Sequence, residues 1–114
     1  MGITPKGEIR MEKLIFSEEG ATLKVKLLCE IDHHGARELR EAIDGAFFKA
    51  SPDVMEIDFS EVRFMDSSGI GLIIGRAELA QRLGSEIRIV SLSRTLQRIV
   101  RLSGIEKIKN ITIM

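Results

Sequence analysis

The chain has 114 residues, enough for one hydrophobic core and too few for two. Its 17 basic and 17 acidic side chains balance to zero, so nothing global attracts nucleic acid or an anionic membrane. The single cysteine, Cys29, excludes an intrachain disulfide and a cysteine zinc cluster, and no apolar run is long enough to span a bilayer. There is no N-terminal signal-like segment, which makes the cytoplasm the expected location. Tryptophan and tyrosine are absent and the five phenylalanines fall mostly at core-like positions, so the stacking platform of a single-strand nucleic-acid binder is missing. Charge is unevenly spread: residues 30–61 sum to −6 and residues 86–114 to +4.

Residues 1–8, with Gly2, Pro5 and Gly7, read as a loose lead-in to a domain over 9–114. Ile9 to Phe16 is a candidate strand of weak alternation, and Ser17-Glu18-Glu19-Gly20 a hairpin turn. Leu23, Val25, Leu27 and Cys29 then alternate with Thr22, Lys24, Lys26 and Leu28, a half-buried strand antiparallel to the first, with Cys29 as a buried small hydrophobe. Glu30 to His34 is polar and reads as a loop. Ala36, Leu39, Ile43, Ala46, Phe47 and Ala50 recur at helical spacing, and Arg37, Glu38, Arg40, Glu41 and Asp44 fill the other face. Ser51-Pro52 ends that helix of about four turns. Val54 to Phe59 is the next strand.

A second helix is predicted from about Ser68 to Leu83, with Ile70, Ile73, Ile74, Ala77 and Ala80 as its stripe. Gly71 and Gly75 inside it permit close approach of the sheet or of another protein, and Leu72 lies off the stripe as a partner-facing apolar residue. Glu86 to Val90 is a short strand. Ser93 caps a third helix with Leu96, Ile99, Val100 and Ser103 inward and Arg94, Arg98 and Arg101 outward, and Gly104 stops it. Ile105 to Met114 closes with a short strand or turn. The order predicts one α/β domain with a mixed sheet of four to five strands and helices packed on it, the last three strands parallel with right-handed crossovers.

The most informative run is Met65-Asp66-Ser67-Ser68-Gly69-Ile70-Gly71-Leu72. It places a carboxylate and two hydroxyls at a strand-to-helix junction, where free N–H groups and the helix dipole favour negative charge. The glycine spacing of a nucleophile elbow is missing, and no Gly-Lys-Ser/Thr follows Gly69 and Gly71, so hydrolase and Walker-type chemistry are set aside. Asp32, His33 and His34 are adjacent on one loop, a poor match to zinc-ligand spacing. No catalytic, cofactor or metal residue is assigned. A serine here can cap the helix, or it can carry a phosphoryl group of about −1.5 to −2 charge. Local physics does not separate Ser67 from Ser68 for either role.

Three segments, Glu30-Ile31-Asp32-His33-His34, Phe64 to Arg76, and Leu102-Ser103-Gly104-Ile105, are where the chain resembles the anti-sigma factor antagonists, which are STAS-domain proteins. The Asp-His-His run and the Gly75-Arg76 ending look most like the sporulation type. The resemblance implies a STAS fold and a non-enzymatic partner switch. The unphosphorylated form would bind a kinase-type anti-sigma factor and free a sigma factor. That kinase would phosphorylate Ser67 (Ser68 is the second choice), and a metal-dependent serine phosphatase would reverse the step. Asp32, His33, Asp66, Ser68, Gly69, Ile70 and Leu72 would line the partner surface. The alternatives are a general-stress-type antagonist and a nucleotide- or small-ligand-binding STAS module with weak nucleotide binding. The chain departs from the pattern in having Cys29 where glycine is usual, and Gly35 where a hydroxyl often stands, which passes the cap of the first helix to His34 or Asp32.

Overall fold

Strands with one wet and one dry face need a layer to cover the dry one, and three amphipathic segments supply it. The computed structural model describes residues 2, 3 and 7–114. The strands are β1 (Gly2–Ile3), β2 (Ile9–Arg10), β3 (Leu14–Glu19), β4 (Thr22–Leu27), β5 (Val54–Asp58), β6 (Glu86–Val90) and β7 (Ile111–Ile113). The helices are α1 (His33–Ala50), α2 (Ser67–Arg82) and α3 (Arg94–Ser103), with a short 3-10 turn at Ile105–Lys107. The strands lie side by side in chain order, antiparallel from β1 to β4 and parallel from β4 to β7. Three parallel connections that advance in one direction, each right-handed, put all three helices on the same face. The mixed α/β architecture agrees with expectation, but the sheet has seven strands where four to five are expected, the difference lying in the two-residue β1 and β2.

The dry face runs through Leu23, Val25 and Leu27 of β4, Met55 and Ile57 of β5, and Ile87 and Ile89 of β6, all at most 2% exposed. Leu39, Ile43 and Phe47 of α1, Ile73, Ala77 and Ala80 of α2, and Leu96 and Val100 of α3 pack onto it. Each large apolar side chain so buried contributes roughly 1.5–3 kcal/mol. The opposite face is a polar ladder, in which Lys24 meets Glu19 at 2.7 Å and Arg88 meets Glu56 at 3.2 Å.

Several expectations are corrected. Ile9–Phe16 is not one strand: the chain turns back at Met11, whose N–H donates to Leu14, so that Ile9 pairs with Phe16. The following strand runs on through Glu19, and Gly20 and Ala21 make the turn. Strand β4 stops at Leu27, which leaves Cys29 half-buried in the loop, its thiol pushed up chiefly by burial. Phe48 and Phe64 are more than half exposed. Of the lead-in over 1–8, residues 1 and 4–6 lie outside the described residues, and Gly2–Ile3 form β1.

Helix α2 departs most from its predicted stripe. It packs against both the sheet and α1, so its buried set is Gly69, Leu72, Ile73, Arg76, Ala77 and Ala80, a wide arc with Ile70 and Ile74 at its edge. Leu72 is 5% exposed and therefore a core residue, not a partner-facing one. Gly71 and Gly75 do not serve close approach within the fold, because a Cβ at either would meet nothing within 4 Å.

Candidate functional site

The loops that follow β4 and β5 emerge at the same end of the parallel sheet and are tied together. Ile31 N–H donates to Phe64 O at 3.1 Å, and Asp66 N–H donates to Ile31 O at 3.2 Å, a one-step parallel bridge between Ile31 and Met65. Ile31 and Met65 are buried, which anchors both loops in the core. The residue after each anchor starts a helix. Asp32 caps α1, its carboxylate accepting from Gly35 N at 2.7 Å, and Asp66 caps α2, accepting from Ser68 N at 2.7 Å. The two N-caps therefore stand next to each other. The choice left open between His34 and Asp32 falls to Asp32. The Gly35 N–H holds the Asp32 carboxyl below its usual range.

The cap of α2 is Asp66 and not a serine. Its carboxylate is the better acceptor and already takes the Ser68 N–H. Ser67 is thereby released: it is the first helical residue, exposed, and its hydroxyl has no partner among the described residues. Ser68 is half-buried toward α1, about 100° further round the helix.

The remaining expected site residues divide. Asp32, His33 and Ile70 reach the surface beside Ser67, Ile70 with part of its side chain. Gly69 does not face a partner. It is buried, and a Cβ there would lie 2.7 Å from Met65 Sδ and 2.8 Å from Met65 Cβ. Its role is to let the Met65 loop sit on the first turn of α2. Leu72 is removed from the surface, as described above. Phe64, two residues before the Asp66 cap and 51% exposed, is an apolar surface residue that the pattern reading passed over. The signal was its place after β5, outside any alternation.

Helices α1 and α2 both follow parallel strands and run side by side in the same direction. At the far end of their contact Arg76 Nε lies 2.7 Å from Asp44 Oδ1. The contact lacks hydrogen-bond alignment, and Arg76 Nη1 is buried without a partner. Loss of water outweighs the mutual attraction here: the Asp44 carboxyl is pushed up and the Arg76 guanidinium down. At the near end a cleft of about 380 Å³ opens, lined by His33, Ala36, Arg37, Arg40 and Ser68. A larger groove of about 540 Å³ lies between β2–β3 and α1, away from Ser67 and mostly apolar.

A helix-capping carboxylate, a serine hydroxyl without a partner among the described residues and a loop anchored through Ile31 and Met65 thus stand together at one end of the parallel sheet. Residues 15–113 match the family model described as Mlab, STAS domain, and the chain belongs to the STAS-domain family. It is 33% identical over 86 residues to the anti-sigma F factor antagonist of Paenibacillus polymyxa, spanning 75% of this chain and 74% of that protein. It is likewise 33% identical over 85 residues to the anti-sigma-B factor antagonist of Listeria monocytogenes, spanning 72% and 74%. Among solved structures it resembles the anti-sigma factor antagonist SpoIIAA in its unphosphorylated form, with a TM-score of 0.68 at 24% identity over 89% of this chain and 86% of that one. The phosphorylated form of SpoIIAA, the Bacillus cell fate determinant, gives 0.67 at 24% identity over 89% and 90%. No described helix is long and apolar enough to cross a membrane.

Proposed function

We propose that this chain is an anti-sigma factor antagonist controlled by phosphorylation of Ser67. The observation that carries the reading is the freedom of that hydroxyl. Asp66 has taken over the cap, so Ser67 is exposed at the start of α2 with nothing to lose when it is modified. The unphosphorylated surface, with Phe64, Ile70, Asp32 and His33 around Ser67, binds a kinase-type anti-sigma factor and so releases a sigma factor. Phosphorylation by that kinase adds about −1.5 to −2 charge at the centre of the contact. Burying it unpaired costs several kcal/mol, which weakens binding by orders of magnitude. A metal-dependent serine phosphatase restores the binding form. The chain itself performs no catalysis.

The relatives named for antagonism of two anti-sigma factors support the role. The near-equal likeness to both forms of SpoIIAA is in keeping with a switch that leaves the fold standing. Calorimetry against a kinase-type anti-sigma factor tests it, with phosphate located by mass spectrometry after incubation with ATP. Wild type and Ser67→Ala bind, Ser67→Asp binds at least tenfold more weakly, and phosphate is found on Ser67. Equal affinities for all three forms would defeat the mechanism. The sporulation-type reading predicts a sporulation sigma factor gene beside the gene for this chain, and the general-stress reading a stress sigma factor gene.

A further inference from the structure

We propose that the mouth of the α1–α2 crevice is a phosphate-binding site that tells the two serines at the start of α2 apart. A phosphoryl group on Ser68 is received there and neutralised, whereas one on Ser67 is left uncompensated. The inference takes its regulatory meaning from the reading of Ser67 as the switch, but its geometry does not depend on it.

Side chains four apart on a helix share a face, so His33, Arg37 and Arg40 of α1 form one row and Ser68, Leu72 and Arg76 of α2 another. Both rows meet in the crevice. Arg76 and Asp44 close its far end, the buried Leu72 lies between, and the near end opens as the cleft that His33, Arg37, Arg40 and Ser68 line. None of the nearby acids lines the cleft: Asp66 accepts from Ser68 N, Asp32 accepts from Gly35 N, and Asp44 lies beside Arg76 at the far end. Glu41 approaches only Arg37, at 3.5 Å, and no ion pair engages Arg40 among the described residues. Deeper in, the guanidinium of Arg76 is 6% exposed and has an unpartnered Nη1. The mouth is thus a concave surface whose lining carries two guanidinium groups, an imidazole and the Ser68 hydroxyl, and no carboxylate.

Ser68 lines this mouth; Ser67, a helical step of about 100° away, is turned to the exposed face of α2. A dianion on Ser68 meets two guanidinium groups and an imidazole. The same dianion on Ser67 meets solvent, or a docked partner. Only Ser67 then presents a net charge able to repel a partner, and the crevice makes modification of its neighbour electrostatically quiet.

Chains with phosphoserine installed chemically or by genetic encoding at position 67 or 68 test this. No kinase takes part, so the result is independent of whether Ser67 is the physiological target. Phosphorus NMR titration reads the second phosphate pKa, ordinarily about 6. It is lower at position 68 than at position 67 by about 0.5–1 pH unit, the size expected for exposed cationic partners. The difference disappears in the Arg37→Gln/Arg40→Gln variant, whose fold is kept because both side chains are exposed. Inorganic phosphate, the free source of the same chemistry, shifts the amide signals of Ala36, Arg37 and Arg40 in the unmodified and Ser67-modified chains and leaves them unmoved when Ser68 is modified. Equal pKa values at the two positions overturn the proposal, as does a difference that survives the double substitution. So do an unmodified chain that ignores inorganic phosphate and a Ser68-modified chain that responds to it like the others.

Discussion

Substituting Gly69 by alanine asks whether the switch loop is held where the structure puts it. The new Cβ would fall 2.7, 2.8 and 3.0 Å from Met65 Sδ, Cβ and Cγ, about 1 Å inside ordinary contact for each. Met65 cannot swing away. Its side chain is 1% exposed, its Cβ is fixed by the backbone, and that backbone is tied to Ile31. Relief requires the loop and the first turn of α2 to part, at a cost of roughly 1–3 kcal/mol. The gain in helix propensity offsets at most about 1 kcal/mol. Three contacts at or below 3.0 Å, one of them to a fixed Cβ, put the clash in the upper half of that range, so the net loss is about 1–2 kcal/mol, a fall in Tm of about 4–8 °C for a chain of this length. Gly71→Ala, with nothing within 4 Å of its new methyl, is the control and raises stability by up to about 1 kcal/mol. Urea unfolding followed by circular dichroism reads both. A Gly69→Ala chain as stable as wild type would refute the close-packed loop, and so would equal changes at the two positions.

Leu72 and Phe64 should separate in the same assay combined with partner binding. Leu72→Ala costs about 2–5 kcal/mol of stability because it empties a core position, while Phe64→Ala leaves stability within about 0.5 kcal/mol and weakens binding of the anti-sigma factor. Acid titration reports on Asp32. Its folded carboxyl is held below the unfolded value, so its contribution is complete above about pH 4 and is lost as pH falls through the lower folded value. Asp32→Asn keeps a capping oxygen without the charge, and its unfolding free energy therefore depends less steeply on pH below 4 than that of wild type.

Local rules carried the sequence reading wherever an element has one environment. The alternation in β4 was legible because one face is covered and the other wet, and α3 because Ser93 and Gly104 mark its ends, Ser93 accepting from Leu96 N and Gly104 adopting φ 78. Helix α2 was not legible in detail. A helix wedged between a sheet and a second helix buries an arc too wide for a single stripe, so Leu72 looked like a partner-facing residue. The break between β2 and β3 escaped because the hairpin is set by tertiary pairing of residues with little alternation of their own. At the site, Asp66 and the serine pair could be picked out from their place at the junction, and only the family resemblance preferred Ser67 to Ser68. The cap could not be assigned to one of them without geometry, and Arg37 and Arg40 read only as the wet side of α1.

The link between Ile31 and Met65 makes the two loops a single rigid clasp. Grafting the Asp66–Leu72 stretch alone onto another scaffold would carry the serine but lose its orientation, since half of what fixes it sits more than thirty positions upstream. A substitution near Asp32 would likewise be felt at Ser67 without any direct contact, so lesions on either side of the clasp should behave as one genetic group.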